Sequence, residues 1–194
     1  MMQGRTTTMS ATTIPPENTL LLELDSGVVT IELLPELAPK HVERIKALAT
    51  AGFYDGTPFH RVIDGFMAQG GDPTGTGTGG SEHPDLPAEF TPPAKAKFVR
   101  GVCGMARTNN PNSANSQFFI MFAPAPSLDG QYTIWGRVAE GMDLVDKIKR
   151  GQGPNGLARE PDRVKSMRVG TAAAAPAATE GSGEGIDSTP AADA

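Results

Sequence analysis

The sequence predicts a mainly β chain, folded as an antiparallel closed barrel whose two open ends are covered by two α-helices. Three observations predict it. Short runs that alternate apolar and polar residues recur at close spacing, as in Thr19 to Leu24 and Val28 to Leu33. Turn-forming residues separate these runs, among 23 glycines and 17 prolines. Helical periodicity is confined to two stretches, one opening at Pro39 and one at Met142.

The 194 residues suffice for one domain with a proper core. The net charge of −5 disfavours broad binding to nucleic acid or to an anionic membrane. A single cysteine, Cys103, excludes an internal disulfide and a Cys-rich metal site. His41, His60 and His83 are scattered without metal-ligand spacing, so neither a metal nor a cofactor is expected. No apolar stretch approaches the roughly 20 residues of a membrane span. Met1 to Thr13 is Thr-rich and lacks the apolar region of a secretory signal. The cytoplasm is therefore the expected compartment, with the periplasm as the alternative.

Residues 1–17 are polar, end near Pro15-Pro16, and read as a disordered tail. Leu20, Leu22 and Leu24 share one face of a first strand, and Val29, Ile31 and Leu33 one face of a second. Asp25-Ser26-Gly27 joins them as a hairpin. Pro39 suits the first position of a helix, where a missing N–H costs little. Val42, Ile45, Leu48 and Ala49 give that helix an apolar face, and Gly52 ends it.

Phe59 to Asp72, reading FHRVIDGFMAQGGD, is the stretch around which the chain is organised. Asp64-Gly65 between two short runs signals a second hairpin. A three-residue loop, Ile63-Asp64-Gly65, pairs Arg61 with Met67 and Phe59 with Gln69, and puts all four on one face. A cation with five donors among large apolar groups needs a reason.

Thr74 to Gly80 is Gly-rich, but no Gly-Lys-Ser/Thr and no helical pattern follow, so it reads as a flexible surface loop and not a phosphate cradle. Glu82, Asp85 and Glu89 read as a solvated edge. Phe98 to Ala106 reads as a strand in which Gly101 and Gly104 allow close packing. Cys103, inside it, has no neighbouring base and reads as a buried inert thiol. Arg107 to Asn115 is dense in turn formers. In Gln117 to Phe122, alternation sends Phe118, Ile120 and Phe122 to the core and Gln117, Phe119 and Met121 to the other face. Tyr132 to Val138 is a further strand, with Trp135 in the core. Met142, Val145 and Ile148 mark the second helix, and Val164 to Val169 a last strand. Residues 171–194 are rich in Ala, Gly, Pro and acids and read as a second disordered tail, which leaves 18–170 as the domain.

FHRVIDGFMAQGGD, with SQFFI from Ser116 to Ile120 and LDG from Leu128 to Gly130, resembles the cyclophilins, which are peptidyl-prolyl cis-trans isomerases. The resemblance implies an eight-stranded barrel with a helix at each end and a site on its outer surface. It implies a pocket for the proline ring formed by Phe66, Met67, Phe119 and Leu128, with Gln117 and Ala106 lining the acyl side. Arg107 stands where the family typically has an Asn that binds peptide through its main chain. Tyr132 stands where many members have a His, and its hydroxyl is expected to bond substrate. Ser127 stands where the family often has a Trp that contributes to cyclosporin binding, so cyclosporin is an expected ligand with weakened affinity. The implied partners are X-Pro-containing peptides and unfolded proteins, and the implied state is a monomer.

The chemistry requires neither nucleophile nor metal. An X-Pro bond has cis and trans forms of similar energy separated by an amide-resonance barrier of about 18–20 kcal/mol. Twisting the C–N bond returns a basic lone pair to the prolyl nitrogen. A donor aimed at that lone pair bonds the twisted state and hardly touches the planar one. Arg61 is the candidate catalyst: always charged, with a rigid fork that can bond Gln69 and substrate together. His60 beside it reads as structural, because amide rotation needs no proton transfer. Two rival readings stand beside the enzyme. One is a module that holds Pro-containing segments without catalysis. The other, a nucleotide-binding protein built on the Thr-Gly loop, has less in the sequence to support it.

Overall fold

The computed structural model describes residues 14–170. Most of both expected tails, residues 1–13 and 171–194, lies outside the described residues. Pro16–Asn18, at the inner end of the first, form a 3-10 turn in which Asn18 N–H donates to Pro15 O at 2.9 Å.

Eight strands follow: β1 (Thr19–Leu24), β2 (Gly27–Leu33), β3 (Arg61–Ile63), β4 (Met67–Gly70), β5 (Val102–Met105), β6 (Phe118–Met121), β7 (Ile134–Glu140) and β8 (Ser166–Val169). Helix α1 (Pro39–Thr50) stands between β2 and β3, and α2 (Met142–Val145) between β7 and β8. The strands form one sheet in the order β3-β4-β6-β5-β7-β2-β1-β8, and every ladder in it is antiparallel.

The expected closed barrel is overturned. β3 and β8 stand at opposite ends of the order with no ladder between them, so the sheet is an open, curled half-barrel capped by helices. The reason lies in the segment between residues 151 and 164. It crosses the gap and bonds β3 and the chain just before it: Gly151 N–H donates to Val62 O at 2.8 Å, Val62 N–H to Gly156 O at 2.8 Å, and Ala158 N–H to His60 O at 3.0 Å. Further on, Phe59 N–H donates to Asp162 O at 2.9 Å and Val164 N–H to Thr57 O at 2.9 Å. The segment contains Pro154, Pro161 and three glycines, and Pro cannot donate to a ladder. It satisfies the edge by scattered bonds and forms no ninth strand.

The sheet separates two apolar clusters. Leu20, Leu22, Val29, Ile31, Val62, Ala68, Cys103, Phe118, Ile120 and Trp135 pack with Val42, Ile45, Leu48 and Ala49 of α1 and Val145 of α2. On the opposite face Met67, Phe98, Val102, Phe119, Met121 and Ile134 form a smaller cluster. Strand alternation thus assigns β6 as expected, and Trp135 and Cys103 are buried in the core. Burial pushes the Cys103 thiol pKa far up, which leaves no thiolate for chemistry.

α1 begins with Pro39 and ends in a Schellman turn: Phe53 N–H reaches Leu48 O at 2.9 Å and Gly52 N–H reaches Ala49 O at 3.1 Å, with Gly52 at φ 73°. Its N-terminus is capped from a distance. Glu89 accepts His41 N–H at 2.8 Å and Lys40 N–H at 3.3 Å, and it meets His41 Nδ1 at 2.6 Å. Glu89 is therefore no solvated edge residue but the anion at a helix start. α2 is a single turn, shorter than the periodicity from Met142 to Ile148 suggested.

The central hairpin also corrects the expected register. Arg61 pairs with Gln69, Val62 with Ala68 and Ile63 with Met67, so the loop is Asp64-Gly65-Phe66. Gly65, at φ 71°, takes the left-handed position. The slip relative to the expected Arg61–Met67 pair is two residues, which preserves faces because the side-chain period is two. Arg61, Met67 and Gln69 therefore share a face as expected. Phe59 does not, because it precedes β3 and is fully buried in the main core.

Candidate active site

Arg61 is half-buried at the edge of the sheet. Its Nε–H donates to Asn155 O at 3.0 Å and its Nη1 to Gln69 Oε1 at 3.3 Å. Gln69 Nε2 donates onward to Gln117 Oε1 at 3.0 Å. Gln117 Nε2 donates in turn to Gly77 O at 3.0 Å and Gly79 O at 2.9 Å. The directions of both amides follow from this network.

The network ends in the Gly-rich loop, which is built and not slack. Asp72 is fully buried, and its Oδ1 accepts Thr74 N–H at 2.8 Å and Thr74 Oγ1–H at 2.7 Å. Its Oδ2 accepts Gly77 N–H at 2.7 Å and Gly79 N–H at 3.0 Å. Burial alone would raise the Asp72 pKa, but these bonds together outweigh it and the carboxyl is held below its ordinary value. The charged oxygens fix the glycine amides, the glycine carbonyls fix Gln117, and two glutamines fix one nitrogen of Arg61.

Beside Arg61 lies a pocket of about 130 Å³, in which Phe66, Met67, Ala106, Phe119, Leu128 and Tyr132 give an apolar wall and Arg61, Gln69 and Arg107 a polar one. Aromatic packing sets its floor. The Phe119 ring meets Tyr132 edge-on with centroids 5.8 Å apart, and Phe98 lies behind Phe119 at 5.6 Å. Gly104 makes this possible, since a Cβ there would fall 2.5 Å from Phe119 Cζ and 2.7 Å from Phe98 Cε1. Leu128 reaches the pocket from the 3-10 turn Pro126–Leu128. A second, polar cavity of about 470 Å³ adjoins the first and shares Gln69, Ala106 and Arg107 with it. Gln117 lines this second cavity.

The family model for the cyclophilin type peptidyl-prolyl cis-trans isomerases matches residues 19–169. The chain belongs to that family. This cyclophilin accelerates rotation about X-Pro peptide bonds, assists protein folding and binds proline-containing peptides and proteins. A probable peptidyl-prolyl cis-trans isomerase of Brucella suis is 54% identical over 167 residues, covering 80% of this chain and 84% of that one. The mouse peptidyl-prolyl cis-trans isomerase-like 1 is 39% identical over 171 residues, covering 80% of this chain and 96% of that one. Among solved structures, a cyclophilin of Hirschia baltica matches with a TM-score of 0.70 at 32% identity, over 80% of this chain and 75% of that one. A Cryptosporidium parvum cyclophilin type isomerase, solved in the presence of the dipeptide Ala-Pro, matches with a TM-score of 0.73 at 30% identity, over 79% of this chain and 99% of that one.

The residues that sequence reasoning assigned to the site come together in this cyclophilin. Arg61 and eight of the expected binding residues line the first pocket, and Gln117 lines the second and bonds Gln69. Two parts of the site escaped the sequence. Asn155 anchors Arg61 from 94 positions away, and Asp72 anchors the loop that holds Gln117. Phe59-to-Asp72 ends on that aspartate, so only its role was hidden. Among the described residues no group of three or more His, Cys, Asp or Glu is placed to hold a metal ion, and no helix is long and apolar enough to cross a membrane.

Proposed function

We propose that Arg61 is the catalytic residue and that it lowers the barrier by donating to the prolyl nitrogen of the twisted amide. The proline ring sits against Phe66, Met67, Phe119, Leu128 and Tyr132, and the acyl side runs past Ala106 and Gln117. One observation carries this reading. Two neutral acceptors fix Arg61 through Nε and Nη1, among the described residues nothing bonds its Nη2, and Arg61 itself lines the pocket. A preorganised donor of this kind contributes roughly 3–4 kcal/mol to a transition state, a useful part of a barrier of about 18–20 kcal/mol. The Ala-Pro dipeptide used with the Cryptosporidium parvum relative supports an X-Pro ligand for the same slot.

In this reading the Arg107 main chain holds the peptide, because among the described residues neither its N–H nor its C=O has a hydrogen-bond partner. Cyclosporin binds weakly, because the exposed Ser127 offers no indole beside Leu128. The chain acts as a monomer in the cytoplasm on unfolded proteins.

No group in this mechanism gains or loses a proton. The test is kcat/KM for a short Ala-Pro-Phe peptide across pH, measured by exchange NMR. A flat profile from about pH 6.5 to 9 is expected, because a guanidinium keeps its proton throughout. A bell-shaped profile would assign the work to a titrating acid or base and remove Arg61 from its proposed role.

A further inference from the structure

We infer that Arg107 makes this isomerase prefer substrates with an acidic side chain immediately before the proline. The inference rests on the proposed seat of the proline ring. Arg107 lines both cavities, at the border that the residue preceding proline must cross.

Its guanidinium is already placed. Nε and Nη2 donate to Gln131 O at 3.2 and 2.7 Å, and Nη1 donates to Thr108 O at 2.9 Å. The Cζ atom stands 4.5 Å from the centroid of the Tyr132 ring and 5.4 Å from that of Phe90. A stacked, bonded fork loses little further freedom when a ligand arrives. Three of its five N–H groups are used, which leaves two for an anion.

Every one of those partners is neutral. Arg100, Arg137, Arg150 and Arg168 each reach a carboxylate of this chain. Among the described residues no carboxylate lies within ion-pair distance of Arg107, or of Arg61. In a chain of net charge −5, the peptide site thus holds two uncompensated cations. One faces the prolyl nitrogen and the other faces the residue before it. The polar cavity also carries Asp85, whose Oδ1 accepts Asn115 Nδ2 at 3.0 Å. An acidic side chain reaching that wall meets a like charge, so the preference is confined to the position beside Arg107.

The experiment is exchange NMR with the full chain on Ala-Glu-Pro-Phe, Ala-Gln-Pro-Phe and Ala-Lys-Pro-Phe. The expected order of kcat/KM at low salt is Glu over Gln over Lys, with about 3- to 10-fold between Glu and Gln. The spread shrinks at about 0.5 M salt, where screening is strong. Arg107→Gln flattens the order and Arg107→Glu reverses it, whatever either does to the overall rate. If wild type turns over all three alike, or Arg107→Glu leaves the order unchanged, the inference falls while the proline-pocket reading stands. If wild type turns over none of them, the pocket reading itself fails and takes the inference with it.

Discussion

The Arg61 Nε–H donates to the Asn155 carbonyl at 3.0 Å, across 94 positions of sequence. Asn155 lies in the tight turn in which Gly156 N–H returns to Gly153 O at 3.1 Å, and that turn is pinned to the free edge of β3 through Val62. The segment that stands in for a closing strand therefore also aims the guanidinium. An open sheet edge and a directed arginine are one structural solution.

Gly156 is the sensitive point of that turn. It has φ 66°, and a Cβ there would fall 2.6 Å from both Val62 O and Ile63 Cγ1. Gly156→Ala should cost about 1–3 kcal/mol of stability, from the left-handed backbone and from displaced main chain. It should also lower kcat/KM by about 10-fold or more, as the Asn155 carbonyl moves. Urea unfolding and exchange NMR on the same sample check both. A destabilised variant with full turnover would mean that Asn155 does not position Arg61.

The faces of the site were legible in the sequence, and its closure was not. Arg61, Met67 and Gln69 were placed together despite a register two residues out, because strand alternation forgives even slips. The division of β6 between Phe118 and Phe119 followed from the same period. By contrast, nothing local in Glu89 announces a helix 48 residues upstream, and nothing in Asp72 announces the amides of Gly77 and Gly79. Such polar contacts form only after folding brings the segments together. The open sheet was missed for a related reason. Counting strands does not show that Pro154 and Pro161 keep the last segment from pairing as a strand.

Stability should fall as the pH drops below neutrality. His41 and His60 are buried, and desolvation holds both imidazoles below the ordinary value of 6.5, against the raising effects of Glu89 on His41 and Asp72 on His60. The His41 contact at Nδ1 leaves Nε2 buried without a partner among the described residues, so a second proton there would be unpaired. Well above 6.5 both states are neutral and pH has no effect through these groups. Below it, the unfolded chain takes protons that the fold does not, so stability is lost by up to about 1.4 kcal/mol per pH unit for each imidazole. Urea midpoints between pH 7.5 and 5.5 should decline accordingly, and His60→Gln should decline less steeply. Midpoints that stay level through that range would show that both histidines protonate freely in the fold.

Ser127→Trp should tighten cyclosporin binding while changing peptide turnover little. Ser127 is exposed on the 3-10 turn that delivers Leu128 to the pocket, so an indole there extends the apolar wall without displacing buried groups. Calorimetric titration of wild type and variant measures the change. An unaltered dissociation constant would show that position 127 does not face the bound drug.

The most direct test is turnover and affinity of Arg61→Ala and Arg61→Lys, by exchange NMR paired with peptide titration. The account predicts that Arg61→Ala folds, that its kcat/KM falls by about 10²–10³-fold, and that ground-state peptide affinity falls far less, because the bond to the prolyl nitrogen hardly exists in a planar amide. Arg61→Lys should recover only part of the rate, since an ammonium cannot bond Gln69, Asn155 and substrate with one planar fork. Near wild-type turnover in folded Arg61→Ala would contradict the mechanism, and equal losses of rate and affinity would make Arg61 a substrate holder.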